Sequence, residues 1–270
     1  MMLINGIETD QISANDRGFQ YGDGLFETIA VENGKPVFLL RHLLRLRRGC
    51  ERLGIEFPGQ EVLESESRKL ARSVHSAVLK MIVTRGSGGR GYRLPDSCSP
   101  TRVLSLHPWP EIVSKLQASG IRTRLCKSRL ASNPSLAGLK HLNRLEQVLA
   151  RAEWTDPDIH EGFMLDRDGK VVEGTMSNLF VVRRTSLITP DLDQCGVEGI
   201  VRTVVLEIAR EKGIEFVVKA IDVCDLEHAD EIFVTNSIIG IWPVIGCEGV
   251  SLGIGPITRN LIRWFNGRKE

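Results

Sequence analysis

The sequence of 270 residues has no long apolar run and no excess of charge of either sign. A helix that spans a bilayer needs about 18 or more apolar residues in succession, and no such run is present. The first residues, MMLINGIETD, lack the basic and apolar regions of a secretory signal. Lys and Arg total 35 against 34 Asp and Glu, and a net charge of +1 offers no basic field to a nucleic acid. We therefore expect a cytoplasmic protein whose partners include neither a membrane nor a nucleic acid.

The six cysteines are too scattered to form a disulfide framework or a metal site. No two of them make a C-x-x-C pair, and none joins a histidine at the spacing of zinc ligands. Isolated cysteines in a chain of this length are typical of free thiols in a reducing compartment. We expect free thiols and no metal at Cys50, Cys98, Cys126, Cys195, Cys224 and Cys247.

The spacing of apolar residues predicts an α+β protein. Asn33-Gly34 is a strong hairpin turn between two apolar runs, and DRDG at 166–169 predicts a second hairpin. Strands joined mostly by hairpins, with helices between them, differ from a regular βαβ alternation. Helical periodicity predicts helices at 41–55, 61–74, 139–154, 198–212 and 256–266, the first with Leu43, Leu44, Leu46, Cys50 and Leu53 facing inside.

The length of the chain favours two domains over one compact unit. The stretch that contains Pro108 and Pro110 loses its periodicity and is the candidate linker. We assign residues 1–108 to a smaller N-terminal α/β domain, 109–120 to the linker and 121–270 to a larger C-terminal α/β domain that carries Lys140.

Residues 85–92, RGSGGRGY, contain the Gly-x-Gly-x-x-Gly spacing of a dinucleotide-binding turn. That turn works only when a helix follows and points its first amides at a pyrophosphate, whereas Pro95 and a turn-rich run follow here. We therefore reject a nicotinamide site. Two interpretations stay open: a flexible hairpin tip, or a loop whose Arg85, Arg90 and Arg93 lie near an anionic substrate.

Several other polar residues admit both a structural and a functional interpretation. GVEGIVR at 196–202 opens a predicted helix, whose first amides either bind an anion or simply start the helix. Glu173 and Asn178 lie among apolar strand residues, where a carboxylate needs a salt bridge or a cationic nitrogen. Ser237 follows the end of a predicted strand, and Arg45 is one of several arginines on its helix.

Lys140 lies in LAGLKHLNRLEQVLA, where apolar residues recur at helical spacing. The lysine is off the apolar stripe, directly after a glycine and at the start of the predicted helix. A solvated side chain is the usual state of such a lysine. The stripe, which serves a core or a partner equally well, comprises Leu139, Leu142, Leu145, Val148 and Leu149. These patterns alone do not identify a reaction.

Taken together and in order, the segments resemble the fold-type IV pyridoxal-phosphate enzymes, the superfamily of branched-chain aminotransferases and D-amino-acid transaminases. The resemblance covers nearly the whole chain, through LING, DRGFQYGDGLFET (16–28), HLLRL, EGTMSNLF, GVEGIVR and WPV (242–244). Within the superfamily, RGSGGRGY and above all NPSLAGLKHLNRLEQVLA (133–150) are similar to the aminodeoxychorismate lyases. The implied fold has two domains with the cofactor between them.

The resemblance also implies a role for each matching residue. Lys140 matches the lysine that binds the aldehyde of pyridoxal 5'-phosphate covalently. Glu173 matches the acid that pairs with the pyridine nitrogen, and Arg45 matches the arginine that binds the phosphate. Further cofactor contacts are implied for Asn178, for Ser237 and for the backbone amides of Gly199, Ile200 and Val201.

The implied activity is cleavage of 4-amino-4-deoxychorismate to 4-aminobenzoate and pyruvate in folate biosynthesis, with Lys140 as the base. TRGSGGRGYRLP lacks the Arg-x-His pair with which D-amino-acid transaminases trap a carboxylate. Two alternatives stay open: an aminotransferase for branched-chain or D-amino acids, and a non-catalytic protein that binds phosphate ligands at GVEGIVR. Members of the superfamily are commonly homodimers, so the resemblance implies a homodimer.

Overall fold

A computed structural model describes residues 1–268, which divide by their contacts into two units. The first unit holds Met1–Pro110 together with Lys140–Asn143. The second holds Glu111–Leu139 and the described residues from Arg144 onward. Each unit combines helices with a sheet, so the predicted α+β class is confirmed.

The first unit is built on one antiparallel sheet with strand order β2-β1-β6-β5-β3-β4. Its elements are β1 (Met2–Ile4), β2 (Ile7–Glu8), α1 (Arg17–Tyr21), β3 (Gly24–Glu32), β4 (Lys35–Pro36), α2 (Leu39–Leu53), α3 (Gln60–Ala71), β5 (Ser76–Thr84) and β6 (Thr101–Pro108).

Helix α2 packs against β3 and covers part of this sheet. Leu43 and Leu46 are buried as predicted, whereas Leu44 is 49% exposed, which corrects the prediction for that residue. The hairpin between β3 and β4 turns at Asn33 and Gly34, whose φ angles of 51° and 75° are both left-handed. This conformation suits Asn-Gly and confirms the predicted turn.

The second unit is built on a nine-stranded mixed sheet in the order β12-β11-β10-β13-β14-β7-β8-β9, with β15 paired to β14. Its elements are α4 (Ile112–Ser119), β7 (Ile121–Leu130), α5 (Leu145–Arg151), β8 (Ile159–Asp166), β9 (Val171–Gly174), β10 (Asn178–Arg183), β11 (Ser186–Thr189), α6 (Ile200–Glu211), β12 (Phe216–Val218), α7 (Val223–Glu227), β13 (Glu231–Asn236), β14 (Gly240–Cys247), β15 (Val250–Ser251) and α8 (Pro256–Asn266).

An additional pairing between β9 and β10 closes six strands of this sheet into a barrel. Phe180 and Phe233 stack in its wall, with ring centroids 4.8 Å apart. The closing pair of residues is Glu173 and Asn178. Glu173 and Asn178, for which the resemblance implies cofactor contacts, therefore lie side by side where the barrel closes.

Four of the five predicted helices are confirmed as α2, α3, α6 and α8, with shifts of a few residues at their ends. The stretch 109–120 is not irregular, because α4 occupies most of it and buries Val113 and Leu116. The remaining helix, predicted at 139–154, begins only at Leu145. Among residues 1–268, no helix has both the length and the apolar character needed to cross a lipid bilayer.

Candidate active site

Lys140 lies in an extended segment that is bonded to strand β3. The N–H of Phe26 donates to the carbonyl oxygen of Lys140 at 3.0 Å, and the N–H of Leu142 donates to that of Gly24 at 3.0 Å. The predicted helix start is therefore wrong, because these backbone groups pair with a strand instead of making helical bonds. By its contacts Lys140 belongs to the first unit, not to the C-terminal residues with which the sequence interpretation grouped it.

The side chain of Lys140 is half-buried and lies against an aromatic ring. Its Nζ is 4.3 Å from the centroid of the Phe26 ring, whereas Nζ of Lys80 is 5.8 Å from that centroid. An ammonium group over an aromatic face is attracted by the quadrupole of the ring. Strand β3 thus locates both the backbone and the amine of Lys140.

Arg45 is paired with a buried carboxylate that the sequence interpretation missed. Its Nε and Nη2 donate to Oε1 and Oε2 of Glu27 at 2.8 and 2.5 Å. Nδ1 of His42, on the same helix as Arg45, lies 2.6 Å from Oε2 of Glu27. Glu27 is 1% exposed and His42 is fully buried. An acid within the apolar run LFETIAV was the signal that could have found this group.

Opposing effects set the protonation states of Glu27 and His42. Burial raises the pKa of Glu27, but the charges and hydrogen bonds of Arg45 and His42 outweigh burial and lower this pKa from 4.5 to about 2. Burial lowers the pKa of His42, against the raising effect of Glu27, and the charges of Arg45 and Lys140 lower it further. Ionised Glu27 therefore stabilises the fold above its ordinary pKa, and this contribution is lost as the pH falls towards 2.

Glu173 and Asn178 both bind the turn that precedes α6. Oε2 of Glu173 accepts a hydrogen bond from the N–H of Val197 at 2.8 Å. Nδ2 of Asn178 donates to the carbonyl oxygen of the same residue, also at 2.8 Å. Both side chains are buried. The two residues that close the barrel thus hold the turn before α6 through the backbone amide and the carbonyl of Val197.

The first turn of α6 has no side-chain cap, since its N-cap residue is Gly199. A Cβ atom on Gly199 would lie 1.9 Å from Oδ1 of Asn178, so only glycine permits this close approach. The N–H groups of the first helical turn have no partners within the helix. The start of α6, at Ile200 and Val201, therefore offers backbone donors to an anion.

Ser237 lies half-buried in the turn that follows β13. Oδ1 of the preceding Asn236 accepts hydrogen bonds from the N–H groups of Ile238 and Ile239, and its Nδ2 donates to the carbonyl oxygen of Met176 at 3.0 Å. Thr235 pairs in register with Asn178, so the two side chains share one face of the sheet. Oγ1 of Thr235 is buried and has no hydrogen-bond partner among residues 1–268.

Glu161 is a second buried carboxylate that the sequence interpretation missed. Its Oε1 accepts from the backbone N–H and from Oγ1 of Thr175, at 2.9 and 2.6 Å. Its Oε2 accepts from Oγ of Ser177 at 2.6 Å. A Cβ on Gly174 would lie 2.6 Å from the same carboxylate. Glu161 therefore fixes the loop that joins Glu173 to Asn178.

The arginines of the glycine-rich stretch divide into one buried and two exposed residues. Arg85 donates to both carboxylate oxygens of Asp23 and to the carbonyl oxygens of Leu53 and Gly54 at the end of α2. It is therefore not available to a substrate, and its predicted role is corrected. Arg90 and Arg93 are exposed, and their role stays a prediction.

The family model for Amino-transferase class IV matches residues 24–247. An aminodeoxychorismate lyase of Vibrio harveyi is 34% identical over 265 residues, which cover 97% of this chain and 98% of that protein. A putative branched-chain-amino-acid aminotransferase of Methanocaldococcus jannaschii is also 34% identical, over 98% of this chain and 94% of that protein.

Solved structures show the same architecture. The crystal structure of 4-amino-4-deoxychorismate lyase from Pseudomonas aeruginosa has a TM-score of 0.94 to this chain and is 44% identical to it. The match covers 99% of this chain and 98% of that one. Lyases and aminotransferases are thus both among the similar proteins.

Proposed function

The chain belongs to the class IV amino-transferase family, and from that premise we propose that it converts 4-amino-4-deoxychorismate to 4-aminobenzoate and pyruvate. The observation that carries the proposal is the 44% identity, over 99% of the chain, to a lyase with this activity in its name. The product makes this a step in folate biosynthesis. All six cysteines are free thiols, which supports a place in the cytoplasm.

Pyridoxal 5'-phosphate is the cofactor, and the groups within each unit fit parts of it. In the first unit, the amine of Lys140 suits an aldehyde and the guanidinium of Arg45 suits a phosphate. In the second unit, buried Glu173 suits a protonated ring nitrogen. The uncapped start of α6 suits a phosphate, and the unpartnered hydroxyl of Thr235 suits a polar ligand.

We assign the holding residues accordingly. Lys140 would bind the aldehyde covalently, and Glu173 would keep the ring nitrogen protonated. Arg45, Ser237 and the amides of residues 199–201 would bind the phosphate, while Asn178 keeps the turn before α6 in place. When bound, the cofactor supplies an electron sink joined to the substrate nitrogen.

The chain's own contribution to the reaction centres on one proton transfer. Nζ of Lys140, released by the substrate amine, takes the proton from the ring carbon that bears this amine. The electrons of that C–H bond make the ring aromatic as the C–O bond to the enolpyruvyl group breaks. The departing enolpyruvate takes up one proton and becomes pyruvate, so the products together have the composition of the substrate. The contact with Phe26 fixes the direction of the amine.

Arg90 and Arg93 are the proposed contacts for the two carboxylates of the substrate. Both are exposed, and they flank Gly91, whose amide donates to the Tyr21 hydroxyl at 3.1 Å and whose carbonyl accepts from Nη1 of Arg17 at 3.0 Å. The ring of Tyr92 also lies against that of Tyr21, so the loop is attached between its two cations, of which Arg93 pairs with the exposed Asp96 at 3.1 Å. Such an arrangement suits a dianionic ligand.

An aminotransferase is the second candidate, and the 34% identity to the Methanocaldococcus jannaschii protein favours it. The same lysine and cofactor would serve both activities. The difference is whether loss of the substrate proton is followed by loss of a leaving group, as in the lyase, or by transfer of the amino group to a second substrate, as in an aminotransferase.

Incubation of the holoenzyme with 4-amino-4-deoxychorismate is expected to release pyruvate and 4-aminobenzoate in equal amounts. Pyruvate is followed with lactate dehydrogenase, and 4-aminobenzoate by its fluorescence after separation. A parallel incubation with branched-chain or D-amino acids and 2-oxoglutarate is the control. Turnover of amino acids alone would replace the lyase proposal by the aminotransferase.

The proposed assembly is a homodimer, with the apolar face of α5 in the interface. Leu145, Val148 and Leu149 are 76%, 60% and 63% exposed, and their spacing places them on one side of the helix. A cluster of exposed apolar side chains favours association. A second copy of this chain is the partner that the superfamily resemblance implies.

The substitution Leu149→Glu is expected to convert the dimer to a monomer, because a charge would be buried in an apolar interface. Light scattering after size-exclusion chromatography measures the mass. Val62→Glu, at an exposed apolar position on α3, is the matched control and should stay dimeric. A dimeric Leu149→Glu would exclude this face from the interface.

A further inference from the structure

Strand β3 contacts two residues that would hold different parts of the cofactor. Its backbone at Gly24 and Phe26 bonds to the segment that carries Lys140. The side chain of Glu27, the next residue on the strand, bonds to Arg45. One strand therefore sets the positions of an amine and of a guanidinium.

The contact between Glu27 and Arg45 fixes orientation as well as distance. Nε and Nη2 form the side edge of the guanidinium, and each donates to a different oxygen of the carboxylate, at 2.8 and 2.5 Å. A two-point contact between two planar groups determines the plane of both.

His42 holds the carboxylate from the helix that also carries Arg45. The two residues are three positions apart on α2 and so lie on one face. Nδ1 of His42 is 2.6 Å from Oε2 of Glu27, and both groups are buried. Burial lowers the pKa of His42, and the charge and hydrogen bond of Glu27 oppose this effect, so each group affects the protonation of the other.

Stability alone does not explain a buried group of this kind. The cost of removing two charges from water offsets much of their attraction, and apolar replacements of similar volume are often as stable. The same unit contains a second Glu–Arg contact, between Glu66 on α3 and Arg102 on β6, whose groups are less buried. In the part of the chain that the structure describes, the hydrogen bonds of this second pair involve no residue assigned to the cofactor.

We propose that Glu27, held by His42, is a positioning residue for Arg45, and that β3 thereby sets the spacing between the phosphate-binding guanidinium and Lys140. The inference rests on the proposed function, because it requires that Arg45 binds the cofactor phosphate. Glu27 itself touches neither cofactor nor substrate; it acts through Arg45.

The test compares two ligands that differ only in the phosphate. The apoprotein is titrated with pyridoxal 5'-phosphate and with pyridoxal, and binding is followed by the absorbance of the lysine-bound ligand. Glu27→Gln is expected to raise the Kd for pyridoxal 5'-phosphate by about tenfold, because one charge-assisted contact to Arg45 is lost. The Kd for pyridoxal should not change, since it lacks the group that Arg45 binds.

Matched variants separate positioning from general damage. Glu66→Gln breaks the other Glu–Arg contact and should lower the melting temperature without changing either Kd. Glu27→Asp keeps the charge but withdraws the carboxylate by one methylene, and the same phosphate-dependent loss is expected if Glu27→Gln does not fold. Unchanged affinity for pyridoxal 5'-phosphate, or equal weakening of both ligands, overturns the inference.

Arg45→Ala distinguishes this inference from the proposed function. If it leaves the affinity for pyridoxal 5'-phosphate unchanged, the assigned role of Arg45 fails, and the positioning role fails with it. If it weakens binding while Glu27→Gln and Glu27→Asp do not, only the positioning role fails. In the Arg45→Ala background, Glu27→Gln should have no further effect on this Kd, because the two act as one unit.

Discussion

The Lys140→Ala variant is expected to release pyruvate from 4-amino-4-deoxychorismate at least about 1,000-fold more slowly than the unaltered enzyme. The substitution removes both the covalent attachment of the cofactor and the base that takes the substrate proton. The variant should also lose the absorbance of the lysine-bound cofactor near the visible edge. Pyruvate release measures the first effect, and a spectrum of the purified protein measures the second.

Lys80 provides the matched control, because its amine approaches the same Phe26 ring from strand β5. Lys80→Ala should retain turnover and colour. After borohydride reduction of the unaltered holoenzyme, mass spectrometry should find the cofactor on the peptide that contains Lys140. A label on Lys80, or full activity of the Lys140→Ala variant, would contradict the proposal that Lys140 binds the cofactor and acts as the base.

The Glu173→Gln variant is expected to lose about 100-fold or more in turnover while it still binds the cofactor. An amide cannot stabilise a positive charge on the ring nitrogen, so the ring would accept electrons poorly. The amide oxygen can still accept the hydrogen bond from Val197 that Oε2 of Glu173 accepts, so the turn before α6 should keep its position. Steady-state kinetics at saturating cofactor, together with a melting curve, separates chemistry from folding.

Glu146 is the control for this substitution, since its carboxylate also accepts a backbone hydrogen bond, from Ala131 at 3.0 Å. Glu146→Gln should leave turnover unchanged. Turnover of Glu173→Gln within about threefold of the unaltered enzyme would contradict the pairing of this carboxylate with the ring nitrogen.

Family and cofactor followed from the sequence, and the comparisons with known proteins confirm the resemblance. The long matching segment around Lys140 supplied most of the resemblance to the lyases. The individual roles of Lys140, Arg45, Glu173 and Ser237 stay predictions, and the experiments above address the first three. These residues could be identified from the sequence because each lies in a continuous segment that matches the family.

Two further functional candidates, Glu27 and Glu161, were not found from the sequence. Each carboxylate is held by partners that are distant in the chain. Glu27 meets His42 and Arg45 across the contact of β3 with α2. A similar distant contact explains the error at Arg85, whose charge suggested a substrate site although Asp23 binds it.

Helical periodicity predicted the helices correctly where one face of the helix packs on the sheet of its own unit. It failed where the backbone of the segment pairs with a strand instead. Helices α2, α6 and α8 bury regular apolar positions. The stretch that contains Lys140 has the same periodicity, yet its first residues pair with β3. The spacing shows which residues are apolar. It does not show whether their backbone groups bond within a helix or to a neighbouring strand.

The sequence by itself determined the α+β class, the hairpin turns, most helices and the family with its cofactor, because these depend on local spacing and on continuous motifs. Only the tertiary structure decided that the segment of Lys140 pairs with strand β3, that Glu173 and Asn178 close a barrel, and that α5 exposes its apolar face. The physical reason is that burial and pairing are properties of residues brought together from distant parts of the chain. The partners of a charge or of a backbone amide are set only when the sheets have formed.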